Sequence, residues 1–87
     1  MKKFALISVL SFISLAAPAV AEPACTPGAA VKPMWQSLKS FEDVGGSVIT
    51  AKINDGKCYE VYGTIGDKKY EVFFDPNTSL ELGRNEI

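Results

Sequence analysis

Two runs decide the fold: Cys58-Tyr59-Glu60-Val61-Tyr62-Gly63 and Tyr70-Glu71-Val72-Phe73-Phe74-Asp75-Pro76. Each alternates side chains with the period of two that a strand requires. Tyr59 and Val61 point one way, and Cys58, Glu60 and Tyr62 the other. On the second run Tyr70, Val72 and Phe74 share a face, opposite Glu71 and Phe73. Between them, Gly63 to Lys69 is turn-prone, with Gly66-Asp67-Lys68 at its tip.

Working outward, Asn54-Asp55-Gly56-Lys57 reads as a hairpin turn, with Asp-Gly supplying the positive-φ positions. Ser47 to Ile53 before it is a strand, with Ile49, Ala51 and Ile53 alternating with Thr50 and Lys52. After Phe74, Asp75-Pro76-Asn77-Thr78 turns the chain into a short fourth strand carrying Leu80 and Leu82 around Glu81, then a polar tail, Gly83 to Ile87. Upstream, Pro33 to Val44 reads as one helix. Met34, Leu38 and Phe41 fall at i, i+4 and i+7 with Trp35 beside them, forming an apolar stripe. Pro33 suits the first turn, and Gly45-Gly46 stops the helix. So short a helix is marginal alone in water, and its stripe must lie on the sheet.

The fold class is therefore α+β: one helix on a four-stranded antiparallel β-meander. The inner face is expected to carry Ile49, Ala51, Ile53, Tyr59, Val61, Tyr70, Val72, Phe74, Leu80 and Leu82. The outer face is expected to carry Thr50, Lys52, Glu60, Tyr62, Glu71, Phe73 and Glu81.

The first residues address the chain. Lys2 and Lys3 precede an apolar run from Phe4 to Ala17, then Pro18-Ala19-Val20-Ala21-Glu22, the layout of a secretory signal peptide. The run falls short of the about 20 apolar residues of a membrane span, which disfavours an uncleaved anchor. Cleavage is expected after Ala21, with Ala17-Pro18-Ala19 as second choice. The domains are then 1–21 signal peptide, 22–32 an irregular, partly mobile segment anchored at Cys25, and 33–87 the folded domain. The localisation is periplasmic or secreted, with no stable membrane insertion after cleavage.

Cleavage removes two of the nine basic residues and none of the ten acidic ones, leaving a net charge of −3. That argues against an electrostatic grip on nucleic acid or anionic lipid. A domain this small usually needs a staple. Joining Cys25 to Cys58 would close a loop of about 33 residues, stabilising by roughly 3–4 kcal/mol in the chain-entropy model. A metal pair wants clustered ligands with histidine or more cysteines, and the chain has no histidine. A redox pair usually takes the form C-x-x-C, which is absent.

These pieces together resemble the PepSY domain, in its small secreted single-domain form. The resemblance rests on the short helix, Gly45 leading to Val48, the Tyr59-Glu60-Val61 run, and Glu71-Val72-Phe73-Phe74-Asp75-Pro76-Asn77-Thr78, and covers nearly all of Pro33 to Leu82. Gly46 stands where the family usually has an aromatic, and Ser79 where it usually has glycine. Cysteines before the helix and ahead of Y-E-V recur in such members, which supports pairing Cys25 with Cys58. The resemblance implies a role in binding and modulating a protein partner such as a peptidase.

The residues carry no catalytic pattern. Without histidine there are no histidine triads or dyads, and no nucleophile elbow, P-loop or dinucleotide fingerprint is present. Glu60, Glu71 and Glu81 are expected to line up across the outer face as solvated carboxylates. Asp75, Asn77, Ser79, Glu81 and Glu86 share the spacing of a calcium loop but lack its central glycine and flanking helices, and read as a turn. No cofactor is expected. Asn77-Thr78-Ser79 matches a glycosylation sequon and reads as part of that turn. Tyr62 and Phe73 are the expected partner-binding residues, weighed against a cross-strand pair that merely stabilises the sheet. The expected function is a non-enzymatic secreted module that inhibits or restrains a peptidase. The other reading is an envelope sensor or accessory module binding a small ligand or a membrane sensor protein.

Overall fold

The computed structural model describes residues 21–87; the signal peptide expected over 1–21 lies, but for Ala21, outside them. Helix α1 spans Met34–Asp43, followed by β1 (Gly46–Ile53), β2 (Tyr59–Ile65), β3 (Lys68–Phe74) and β4 (Glu81–Glu86). The strands form one antiparallel sheet in the order β1-β2-β3-β4. The α+β meander expected from the sequence is the fold observed.

The helix starts where Pro33, extended at φ −68° and ψ 148°, hands over to Met34. It ends at Gly45, whose φ of 90° is open to glycine and strained for other residues. Its buried stripe runs Met34-Ser37-Leu38-Phe41, with Ser37 and Phe41 fully enclosed. Ser37 occupies the i+3 position of that stripe, which leaves Trp35 on the flank with 60% of its surface exposed. The core is Phe41, Tyr59, Val61, Val72 and Phe74, with Met34, Leu38, Val48, Ala51, Ile65 and Tyr70 packed around it. Fully burying one such side chain stabilises by about 1.5–3 kcal/mol.

Four residues expected inside are exposed: Ile49, Ile53, Leu80 and Leu82. Two irregularities and two positions explain this. The β1–β2 register slips between Val48 and Thr50, so Ile49 is the extra residue and Val48 takes the inner place opposite Gly63. The β3–β4 register slips between Phe73 and Phe74, so Leu82 is passed over. Leu80 sits in the turn before β4, and Ile53 ends β1 at the sheet's margin. The sheet also continues through Gly83-Arg84-Asn85-Glu86, which reads as a polar tail in sequence, because β3 offers a complete row of backbone partners there.

The turn glycines work differently from expectation. At Asn54–Lys57 the positive φ falls on Lys57, at 70°, and not on Gly56. Gly56 is small for another reason: a side chain there would meet the backbone of Pro23 and Ala24.

That contact belongs to the segment 22–32, which is irregular but tied down well beyond Cys25. The Cys25–Cys58 disulfide is formed, with Cα atoms 5.1 Å apart. The Cys25 N–H donates to Gly56 O at 2.7 Å, and Lys32 N–H to Pro76 O at 2.8 Å. Asn77 holds the middle: it accepts from Gly28 N–H at 2.7 Å and donates to Thr26 O at 3.0 Å. The Tyr59 hydroxyl donates to Lys32 O at 2.6 Å. The segment is a strap from the outer face of β2, past the Asp75–Ser79 turn, to the helix.

Candidate functional site

Helix α1 packs chiefly over β1 and β2, and the inner side of β3 and β4 is left partly open. The result is a groove of about 220 Å³ between the helix and β4. Phe41 and Val44 form its helix wall, Val72 and Phe74 its floor, and Leu80 and Arg84 its far side. Leu80 is 67% exposed and Val44 56%. Leu80 also lines an adjoining hollow with Trp35 and Lys39. Trp35, Val44 and Leu80 together give this side of the molecule an apolar rim around an apolar groove.

The polar margin of the groove is one ion pair. Arg84 Nη2 and Nε reach the two oxygens of Glu81 at 2.7 and 2.8 Å. The guanidinium stands 5.7 Å from the Tyr70 ring centre. A forked pair with a stacked face holds Arg84 in one place. Glu81 is therefore not on the outer face with Glu60 and Glu71. The slip around Leu82 turns it inward opposite Phe74, which dismantles the expected row of three carboxylates.

On the outer face, Tyr62 stands opposite Thr50 and Glu71, while Phe73 stands opposite Glu60 and Gly83. Tyr62 and Phe73 are thus diagonal neighbours and not a directly facing pair. Phe73 and Glu60 are each 1% exposed, against the open, solvated face expected. Hydrogen bonding to Glu60, burial, and the charges of Glu60 and Glu71 push the Tyr62 phenol above the usual tyrosine range. Asn85 donates to Glu71 at 3.0 Å. Asp75 caps its own turn, accepting from Asn77 N–H at 2.8 Å. Among the described residues no group of three or more carboxylate or cysteine side chains could hold a metal ion.

A family model described as peptidase propeptide and YPEB domain matches residues 3–82. The chain belongs to this family. No curated protein and no solved structure matches it. The PepSY resemblance read from the β2 and β3 motifs is thereby established. PepSY domains are generally non-catalytic propeptide or inhibitor modules. They are typically extracellular or periplasmic, and no helix among the described residues of this one is long and apolar enough to cross a membrane. The PepSY motif ending in Asp75-Pro76-Asn77-Thr78 has a clear structural use here: it seats the strap and turns the chain into the groove-lining Leu80. Sequence alternation missed the groove, because its rim residues Trp35 and Leu80 read as core. The signal that marks them is stoichiometric: more large apolar residues than one helix can cover.

Proposed function

We propose that this PepSY domain is a secreted, non-catalytic module that binds a peptidase and restrains it. Its docking surface is the groove between α1 and β4. The occupant is an extended segment of the peptidase, which adds to the β4 edge and places apolar side chains against Phe41, Val44 and Leu80. The observation that carries this reading is the exposed Trp35–Val44–Leu80 rim beside an edge strand. Exposed aromatic and aliphatic side chains around a groove are the usual anchors of an interface. The family's association with peptidase propeptides supports the choice of partner.

The test is cross-linking of the mature, oxidised protein in the envelope fraction of its own source, followed by mass spectrometry and inhibition assays on the peptidases recovered. Trp35→Ala and Leu80→Ala are expected to lose the peptidase and its inhibition. Tyr62→Ser and Phe73→Ser, on the outer face, are the competing variants. If they abolish capture while the groove variants leave it intact, the docking surface is the outer face. Recovery of a sensor domain, or a ligand-dependent rise in Tm without inhibition, would instead support an envelope sensor or accessory role.

A further inference from the structure

The strap carries Glu22 close to Glu60, a buried carboxylate with one unpaired oxygen. Glu60 is 1% exposed, and its Oε1 has no hydrogen-bond partner. Leaving a charged oxygen buried and unpaired is costly, and such groups in folded proteins call for a specific account. Its surroundings do not supply a bond to that oxygen. Lys52 faces Glu60 from β1, Phe73 from β3, and Tyr62 lies one pleat along on β2. Glu22 and Asp55 add negative charge, and Glu71 does so beyond Tyr62. The Glu22 carboxyl is raised above its ordinary range, by desolvation first, then by a hydrogen bond to Glu60 and its charge, and then by the charge of Asp55.

The chain just after Glu22 is held firmly. Three residues on, Cys25 is bonded to Cys58 and donates to Gly56 O. Pro23 O lies 3.4 Å from Cys58 Sγ. The strap thus brings Glu22, the residue after the expected signal cleavage point, beside the acidic side chains of Asp55 and Glu60. In the precursor that position carries a neutral amide.

We propose that signal cleavage supplies the partner that Glu60 Oε1 lacks: the new α-ammonium of Glu22 pairs with the Glu60 carboxylate and locks the strap onto the sheet. The processed chain is then a different electrostatic object from its precursor, with the last tie of the fold made only after the leader leaves. The cation answers the combined negative charge of Glu22, Asp55 and Glu60, which Lys52 alone does not. The inference goes beyond the docking reading and does not depend on it.

The experiment starts from the full chain exported through its own signal peptide, with N-terminal sequencing of the purified product. Its α-amino group is titrated by NMR. The expected pKa lies above the ordinary α-amino range of about 7.7–8.0, and falls back into it in Glu60→Gln. A second form carries two residues inserted after Ala21, which moves the ammonium by about 7 Å. It is expected to lose about 4–8 °C in Tm, and to lose little in the Glu60→Gln background. Because pairing raises the folded-state pKa, this contribution is full below pH of about 8 and is lost as pH rises through the raised value. A first residue other than Glu22, an ordinary α-amino pKa, or an equal Tm loss in both backgrounds overturns the proposal. Should Glu60→Gln fail to fold, the titrations of the native and inserted forms decide it alone.

Discussion

Ser79 shows how one residue can answer two demands. It adopts φ 62°, a left-handed conformation that favours glycine, at the position where the family usually has glycine. Its Oγ lies 3.3 Å from the Oγ of the fully buried Ser37. Replacing it by glycine relieves backbone strain of about 1 kcal/mol but leaves the Ser37 hydroxyl unpaired, at about 1–3 kcal/mol. Ser79→Gly alone is therefore expected to be neutral or destabilising by urea denaturation. In a Ser37→Ala background the same change should stabilise by about 0.5–1 kcal/mol. Tyr62 offers a second test at this scale. Its raised phenol stays protonated in the folded state above pH of about 10, where the unfolded chain ionises. Its contribution to stability is full below that pH and falls as pH climbs toward the folded value. Tyr62→Phe should flatten this part of the alkaline stability profile, and should remove a phenol that ionises above the usual tyrosine range in a spectrophotometric titration.

At the scale of elements, β2 and β3 were legible because both alternate without a break and pair without a slip. The expectations that failed lie on β1 and β4, where one passed-over residue each, Ile49 and Leu82, resets which side faces the core. Period counting cannot find a bulge, since a bulge is settled by the neighbouring strand's backbone. The strand character of Gly83 to Glu86 was invisible for the same reason. Alternation correctly assigned Phe73 and Glu60 to the outer face, but a side of a sheet is not a solvent exposure. The helix lies within one residue of its expected bounds at each end, yet its stripe runs through Ser37 and leaves Trp35 on the flank, and a buried serine has no apolar signature in sequence. Gly63 was legible only as part of a motif. Its role is to let the sheet approach the helix: a Cβ there would stand 2.6 Å from Phe41 Cε2 and collide with Ser47 O. Gly63→Ala is expected to cost about 1–3 kcal/mol through overpacking, read as a lower denaturation midpoint with an unchanged slope. Trp35→Ala, by contrast, removes an exposed side chain and should shift stability by within about 0.5 kcal/mol.

For the molecule as a whole, the disulfide is the largest single constraint. Cys25→Ser or Cys58→Ser should destabilise by roughly 3–4 kcal/mol, visible as a drop in Tm on calorimetry, with reduction of the wild-type protein giving the same loss. Reduction should also loosen the hold of the strap, since Asn77, Pro76 and Tyr59 then keep it by hydrogen bonds alone.

The bond between Cys25 and Cys58 also divides the chain mechanically. It closes a covalent ring with a separation of 33 residues, inside which lie α1 and β1, while β2, β3 and β4 lie outside. A force applied between Glu22 and Ile87 passes through the sulfur bridge and never loads the ring. Stretched in an optical trap, the oxidised protein should pay out about half the length released after reduction, at about 3.3–3.6 Å per residue. Its helix and first strand would leave the sheet without being drawn out. A domain that hangs from a larger partner would then yield by peeling its three C-terminal strands, starting at β4, and the groove would be the first feature to open under load.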